Sequence, residues 1–265
     1  MTDVLQQLRV DLVAEQDALD LVVADIGGDQ WQRATPSPGW TVADQIGHLT
    51  FFDRSAVTAI VDPARFQEDL SALIDAAAND SIDNITLRGY RALTSPDLLE
   101  AWREGRRLLH AAALTLRDET RLPWYGPSMS AKSFLTARLM ETWAHGTDIV
   151  DTLGATRPAT DRLRHVAQLG YLTRAWSYGV RAEDVPTGEI RVKLQSPSGD
   201  LWTWGPEDSD EQVSGSAEEF CLVVTQRRHV DDTSLEYGDL GRDWLLRAQA
   251  FAGSPSNGPP PRSTT

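Results

Sequence analysis

The chain holds a single cysteine, Cys221, among 265 residues, so no internal disulfide can form. Its neighbours Phe220, Leu222, Val223 and Val224 place it in an apolar stretch suited to packing rather than to nucleophilic chemistry. This usage fits a reducing compartment, and the cytoplasm is the expected location. No segment approaches the roughly 20 apolar residues that span a bilayer. The first stretch, MTDVLQQLRVDLVAEQDALD, carries acids every few residues where a signal peptide has an apolar centre. A soluble protein with no membrane partner is expected. Basic runs are equally scarce: no stretch of Lys or Arg exceeds two, and 25 basic against 39 acidic residues give a net charge of −14. Such a chain repels polyphosphate, which argues against nucleic acid as a partner. The absence of G-x-S-x-G, P-loop and G-x-G-x-x-G patterns argues against serine hydrolases, nucleotide triphosphatases and dinucleotide enzymes.

What is present describes a globular protein. Hydrophobic residues make up 41% and charged residues 24%, with nine tryptophans. At this size about 70% of the extended chain's surface can be buried. Apolar residues recur at three- and four-residue steps from Val4 to Ile26, where Gly27 and Gly28 stop the pattern, predicting a first amphipathic helix. After the break TPSPG, Thr41 followed three residues later by Asp44 predicts a capped helix from Val42 to Val61. Asp62-Pro63 restarts the chain into a helix ending near Ala78, and Ser95-Pro96 into one ending near Leu116. The stretch RLPWYGPSMS reads as a loop. Ser130 then caps a helix running to Leu153 and stopped by Gly154, and another helix is predicted from Asp161 to Val180.

Beyond Pro186 the period changes. Ile190, Val192 and Leu194 alternate, a turn follows at Ser196–Gly199, and Leu201 and Thr203 alternate with Trp202 and Trp204, which predicts a β-hairpin. Short helices are expected from Ser216 and from Asp239 to Ala252. The expected fold is α+β and mainly α: a helical bundle with added helices over 1–182, a small α+β domain over 186–253 and a disordered tail over 254–265.

In METWAHGTDIVD, Glu141 and His145 are four residues apart, a rotation of about 400° that sets both on one helix face. Asp148 joins that stripe. In GWTVADQIGHLTFFD, His48 follows Asp44 by one turn. A carboxylate and an imidazole from one helix and an imidazole from another form a three-ligand set for a divalent metal. The spacing alone is common, but these residues are interleaved with apolar ones, where an unpaired charge is costly. A buried Glu–His hydrogen bond filling the bundle is the alternative. Of the other histidines, His110 reads as a core or boundary residue, and His165 and His229 as solvated. Trp124, Tyr125, Trp143 and Trp40 are candidate pocket walls, with Trp40 read as ordinary packing. Arg138, three before Glu141, is a candidate for a substrate carboxylate.

TPSPGWTVADQIGHL and ARLMETWAHGTDIVDTLG resemble the mycothiol-dependent maleylpyruvate isomerase family of the DinB-like metal-binding superfamily. VSGSAEEFCLVVTQRR and AQAFAG look like its branch of actinobacterial metal-binding proteins. The resemblance implies a DinB-like four-helix bundle followed by a small α/β C-terminal domain, with zinc ligands at His48, Glu141 and His145. It also implies a functional arginine at Arg227, or at its neighbour Arg228. Zinc or another divalent metal and mycothiol are then the implied cofactors. By their own positions Trp124, Tyr125 and Arg138 are candidates to line the cofactor pocket, Asp44 and Asp148, each one turn from a histidine of the set, to orient the imidazoles, and Asp148 and Arg227 to assist catalysis. Such a site leaves a position open for a thiol, which ionises there at neutral pH.

The activity so implied is isomerisation or S-transfer on a small, electrophilic, carboxylate-bearing substrate by a monomer or homodimer. A thiol-independent, metal-dependent hydrolase, lyase or cyclase is the second reading, and a non-catalytic metal- or ligand-binding protein the third. With one buried cysteine, any catalytic thiol has to come from outside the chain.

Overall fold

The structure, a computed structural model, describes residues 3–262. It divides into two compact units, Met1–Arg157 and Pro158–Thr265.

The first unit contains α1 (Val4–Val23), α2 (Gly28–Trp31), α3 (Val42–Val61), α4 (Pro63–Ala77), α5 (Ile82–Arg91), α6 (Ser95–Ala113), β1 (Arg121–Trp124), β2 (Gly126–Ser130) and α7 (Ala131–Leu153). The four long helices α1, α3, α6 and α7 form the bundle, each of α1 and α3 packing on both α6 and α7. Their ends follow from local chemistry. The Asp3 carboxylate accepts from the Leu5 amide, Thr41 and Asp44 cap α3 reciprocally, and Ser130 accepts from the Ser133 amide at the start of α7. Gly154 ends α7 at φ 62°, a left-handed conformation that a side chain disfavours. Between the helices Leu19, Val23, Ile46, Leu49, Trp102 and Ile149 are buried together. Each such burial contributes about 1.5–3 kcal/mol before entropy is counted.

The short α2, a hairpin and α5 differ from expectation. RLPWYGPSMS is a hairpin, with Arg121 opposite Ser130, Leu122 opposite Met129 and Trp124 opposite Gly126. Two prolines suggested a loop, but both strands of a two-stranded ribbon are edges, where a missing N–H costs little. The unforeseen α5 starts at Ser81, whose hydroxyl accepts from the Asn84 amide. It buries Thr86 and Leu87 alone, too narrow a stripe to show as a period.

The second unit contains α8 (Leu163–Leu172), α9 (Arg174–Gly179), β3 (Ile190–Gln195), β4 (Leu201–Trp204), β5 (Glu211–Ser216), α10 (Ala217–Val224), β6 (Glu236–Tyr237) and α11 (Asp239–Leu245). Its sheet runs β4-β3-β5-β6. The β3–β4 hairpin pairs Val192 with Trp204 and Leu194 with Trp202, and β5 lies parallel to β3. Only Val213 of β5 is buried, so its sequence carries no alternation. The boundary lies at 157/158 rather than near 182 because α8 packs on α10: a Cβ on Gly170 would stand 2.6 Å from Val224 Cγ2. The helix expected over 161–180 breaks at Thr173, whose hydroxyl donates to the Leu169 carbonyl. The last helix stops at Leu245, and Gln249 then donates its amide to Ser177 Oγ at 3.0 Å.

The described part of the stretch read as a disordered tail has no helix or strand, yet it is tied down. Ser256 N–H donates to Gln249 Oε1 at 3.2 Å, Gln226 Nε2 donates to the Ser256 carbonyl at 2.6 Å, and Arg262 N–H donates to Asp232. Residues 263–265 of that expectation lie outside the described residues. No described helix is long and apolar enough to cross a membrane.

Candidate metal centre

His48 leaves the second turn of α3, while Glu141 and His145 leave successive turns of α7. The two helices pack against each other, and the three side chains meet. Glu141 Oε2 lies 3.3 Å from His48 Nε2 and 3.1 Å from His145 Nε2. The imidazole rings are 4.3 Å apart between centroids, and the three ligand atoms all fall within 4.8 Å of one another. Among the described residues no other group of three His, Cys, Asp or Glu converges in this way.

Which nitrogen of His145 faces this point is fixed by a relay. The Thr35 hydroxyl donates to the Trp40 carbonyl at 3.0 Å, so its lone pair accepts from Gln45 Nε2 at 2.8 Å. That orients the Gln45 amide with Oε1 toward His145 Nδ1, which donates to it. A neutral His145 therefore presents the Nε2 lone pair to Glu141. Electron-pair donors aimed at one another repel unless a cation stands among them, and two imidazoles with a carboxylate are a suitable set for a divalent metal. Burial acts to raise the Glu141 carboxyl. When His145 is instead protonated, its hydrogen bond and charge, the hydrogen bond with His48 and the Arg138 guanidinium outweigh it and hold the group well below the usual carboxylate range. Glu141 is thus ionised, as a ligand requires.

Gln45 was not foreseen, although it sits three residues before His48 on the same helix face. The orienting role expected of nearby acids is placed elsewhere for Asp44, whose Oδ2 caps α3 and whose Oδ1 accepts from Arg91 Nε at 2.7 Å. Asp148 is buried and accepts from Ser37 Oγ at 3.0 Å.

Aromatic side chains surround the two histidines. Trp40, read as packing, stacks on His145 at 5.7 Å and 13° and lies 5.0 Å from His48, and its Nε1 donates to Asp83 of α5 at 2.9 Å. The helix missed in the sequence thus anchors a wall of the site. Phe52 is 4.5 Å from His48, and Tyr125 and Trp124 stand behind it at 5.2 and 6.3 Å. Burial pushes the Tyr125 phenol up, against the Ser55 hydrogen bond that lowers it.

Arg138 is 3% exposed, its guanidinium 5.4 Å from the Trp124 ring centroid and 5.9 Å from that of Phe52. It approaches Asp53 and Glu141 at 3.9 Å each, beyond hydrogen-bond reach, and its Nε and Nη1 have no hydrogen-bond partner. Each buried donor left so costs about 1–3 kcal/mol. Asp53 accepts from Gln16 at 3.2 Å through Oδ2, while Oδ1 has no partner. Burial pushes the Asp53 carboxyl up to about 6, with Arg138 opposing and Glu141 adding to the shift.

Other candidates are engaged in contacts of their own. His110 is exposed at the end of α6 rather than in a core, and His229 caps the Asp231 amide at 3.1 Å. Arg227 belongs to the second unit, where its Nη1 donates to the Thr225 carbonyl at 2.7 Å. Cys221 is wholly buried, its thiol raised well above its usual value by burial, as packing requires.

The family model described as the mycothiol maleylpyruvate isomerase N-terminal domain matches residues 12–150, a span that holds His48, Glu141 and His145. The chain belongs to this family. A second family model, described as wyosine base formation, matches residues 186–235 in the other unit. Two uncharacterized proteins of Mycobacterium tuberculosis, from strains CDC 1551 / Oshkosh and ATCC 25618 / H37Rv, are each 48% identical over 253 residues. Each alignment covers 94% of this chain and 96% of the relative. The fold is also that of a crystal structure of the mycothiol-dependent maleylpyruvate isomerase, at TM-score 0.57 and 15% identity over 86% of this chain and 92% of that one. A histidine-to-alanine mutant of that isomerase matches with the same TM-score and coverage at 14% identity. The maleylpyruvate isomerase family thus shares this DinB-like, mainly α architecture.

Proposed function

We propose that this chain is a divalent-metal-dependent enzyme that uses mycothiol to isomerise, or to transfer sulfur to, a small electrophile. The observation that carries the reading is the convergence of His48 Nε2, His145 Nε2 and Glu141 Oε2, with the His145 tautomer set by Gln45. Zinc is the metal we assign. Held by two neutral imidazoles and one carboxylate, zinc would carry a net charge of +1 and would let an incoming thiol ionise well below its free value of about 8.5. Family membership supports mycothiol as that thiol and isomerisation as the chemistry.

The residues of the chain then have separate duties. His48, Glu141 and His145 hold the metal, and Gln45 keeps His145 in its ligating tautomer. Trp40 and Phe52 cover the imidazoles and restrict water, which strengthens the electrostatic interactions inside. Trp124 and Tyr125 line the cofactor side. We also assign Asp148 a duty at the site, so that Asp148→Asn lowers turnover at unchanged metal content, whereas Arg227, in the second unit, is given no duty there. The positive centre offsets, at short range, the repulsion that a net charge of −14 exerts on an anionic substrate.

Thiol titration of the cobalt-loaded protein tests the reading. A charge-transfer band that saturates with mycothiol and is absent from His145→Ala is expected. Turnover that proceeds equally well without any thiol would instead point to a metal-activated water.

A further inference from the structure

Two helices of the first unit are held more lightly than the rest of the bundle. α3 buries ten of its 20 residues and α7 fourteen of its 23, whereas α4 buries Phe66 alone among 15 and α5 buries only Thr86 and Leu87. A segment with so few buried apolar contacts opens locally at a much smaller free energy than the bundle unfolds. Its attachments are unevenly spread. The second half of α5 is fixed to α3: a Cβ on Gly47 would stand 3.1 Å from Tyr90 Cβ and 3.3 Å from Leu87 Cδ2, and Arg91 Nε donates to Asp44 Oδ1 at 2.7 Å. At the other end the chain leaves α3 through Asp62, whose φ of −145° and ψ of 77° break the helix. Between these two points the turn joining α4 to α5 is braced on itself. Asp80 accepts from the Ser81 amide at 2.8 Å, from Asn84 Nδ2 at 2.9 Å and from Arg88 Nη2 at 2.7 Å, so α4 and the start of α5 turn as one piece.

The same lightly held segment touches both walls of the metal centre. Phe66 is 1% exposed, stacked on Trp124 at 5.7 Å and 8° and edge-on to Tyr125 at 5.3 Å. Those two rings stand behind Phe52, which packs on His48. Asp83, in the first turn of α5, holds Nε1 of Trp40, which lies against both imidazoles. Only 17% of the His48 side chain and 20% of the Glu141 side chain are exposed, so a guest larger than water needs the walls to part. We propose that residues 63–84 are a lid over this site. It pivots at Asp62 and at the Leu87–Arg91 turn of α5, and it opens when Phe66 leaves the aromatic cluster and Asp83 releases Trp40. What the lid admits rests on the metal reading above. The lid itself does not, because its hinges and its two catches belong to the chain.

Hydrogen exchange and carbethoxylation of histidines by diethyl pyrocarbonate, both read by mass spectrometry on the full-length, metal-free protein, test this. Amides within 63–84 should exchange about a hundredfold or more faster than those of α3 and α7. Phe66→Ala should speed them further and raise carbethoxylation of His48 by about tenfold, with the exposed His110 as internal reference. Asp83→Ala, at an exposed position that does not threaten folding, should raise it as well, whereas Asp83→Asn retains an acceptor for Trp40 and should stay near the wild type. The Asp83 pair decides the matter if Phe66→Ala does not fold. Exchange of 63–84 as slow as that of α3 overturns the proposal. So does fast exchange with His48 equally reactive in the wild type and in Asp83→Ala, since the segment would then be loose without covering the site. A wild type that takes up no zinc but shows the variant-dependent access to His48 sinks the metal reading alone.

Discussion

Gln45 of α3 accepts a hydrogen bond from Nδ1 of His145 on α7, and that contact decides which ring nitrogen faces Glu141. The two residues are a hundred apart in sequence, so the ligand set on α7 is completed by a helix formed much earlier in the chain.

Removing this partner should weaken the metal centre without dismantling the bundle. Gln45→Leu is expected to reduce zinc affinity by about 10–100-fold, the usual effect of losing a group that orients a ligating imidazole. Gln45→Glu, which can still accept from Nδ1, should recover most of it. Competition with a chromophoric chelator measures both. Equal affinities in Gln45→Leu and the wild type would assign the contact to packing.

Asp53 makes a pH prediction whose sign follows from its raised value. The native state holds this proton more tightly than the unfolded chain, so its contribution to stability falls as pH rises from about 4 to about 6 and is level above. The full span corresponds to about 3 kcal/mol. Glu141 acts in the other direction, its contribution being complete above its unfolded value and lost as pH drops toward its depressed native one. Asp53→Asn removes the first effect and leaves the second. The melting temperature of this variant minus that of the wild type, both metal-free, should therefore rise between pH 4 and 6 and then flatten. A difference independent of pH would contradict the raised carboxyl.

Much of this was legible in the sequence where one signal sufficed. Thr41 with Asp44, and Ser130 with Gly154, mark helix ends by their own hydrogen-bonding and backbone preferences, and α3 and α7 have the bounds those residues set. The pairing of Glu141 with His145 follows from helical geometry alone. What stayed hidden depends on contacts between elements. Trp40 looked like packing because nothing in its neighbourhood shows that Asp83 of α5 anchors it against both imidazoles. Gln45 looked like a polar residue on a helix until Thr35 oriented its amide. The hairpin at 121–130 was concealed by Pro123 and Pro127, and β5 by having one buried side chain.

The lone cysteine yields a third expectation. Cys221 is buried on α10, its Sγ donating to the Leu163 carbonyl at 3.6 Å, and burial keeps the thiol protonated. Cys221→Ser retains a donor for that carbonyl and should leave thiol-dependent turnover and metal content unchanged. In the native wild type the residue should resist alkylation by iodoacetamide until the protein is unfolded. Loss of turnover at intact metal content would make Cys221 a participant and remove the need for an external thiol.

The central claim is that His48, Glu141 and His145 together hold one divalent metal. Elemental analysis after equilibration with zinc and gel filtration tests it most directly, on the wild type and on His48→Ala, Glu141→Ala and His145→Ala. One zinc per chain in the wild type and essentially none in each folded variant is the predicted result. A wild type without zinc, or variants that keep it, would contradict the account.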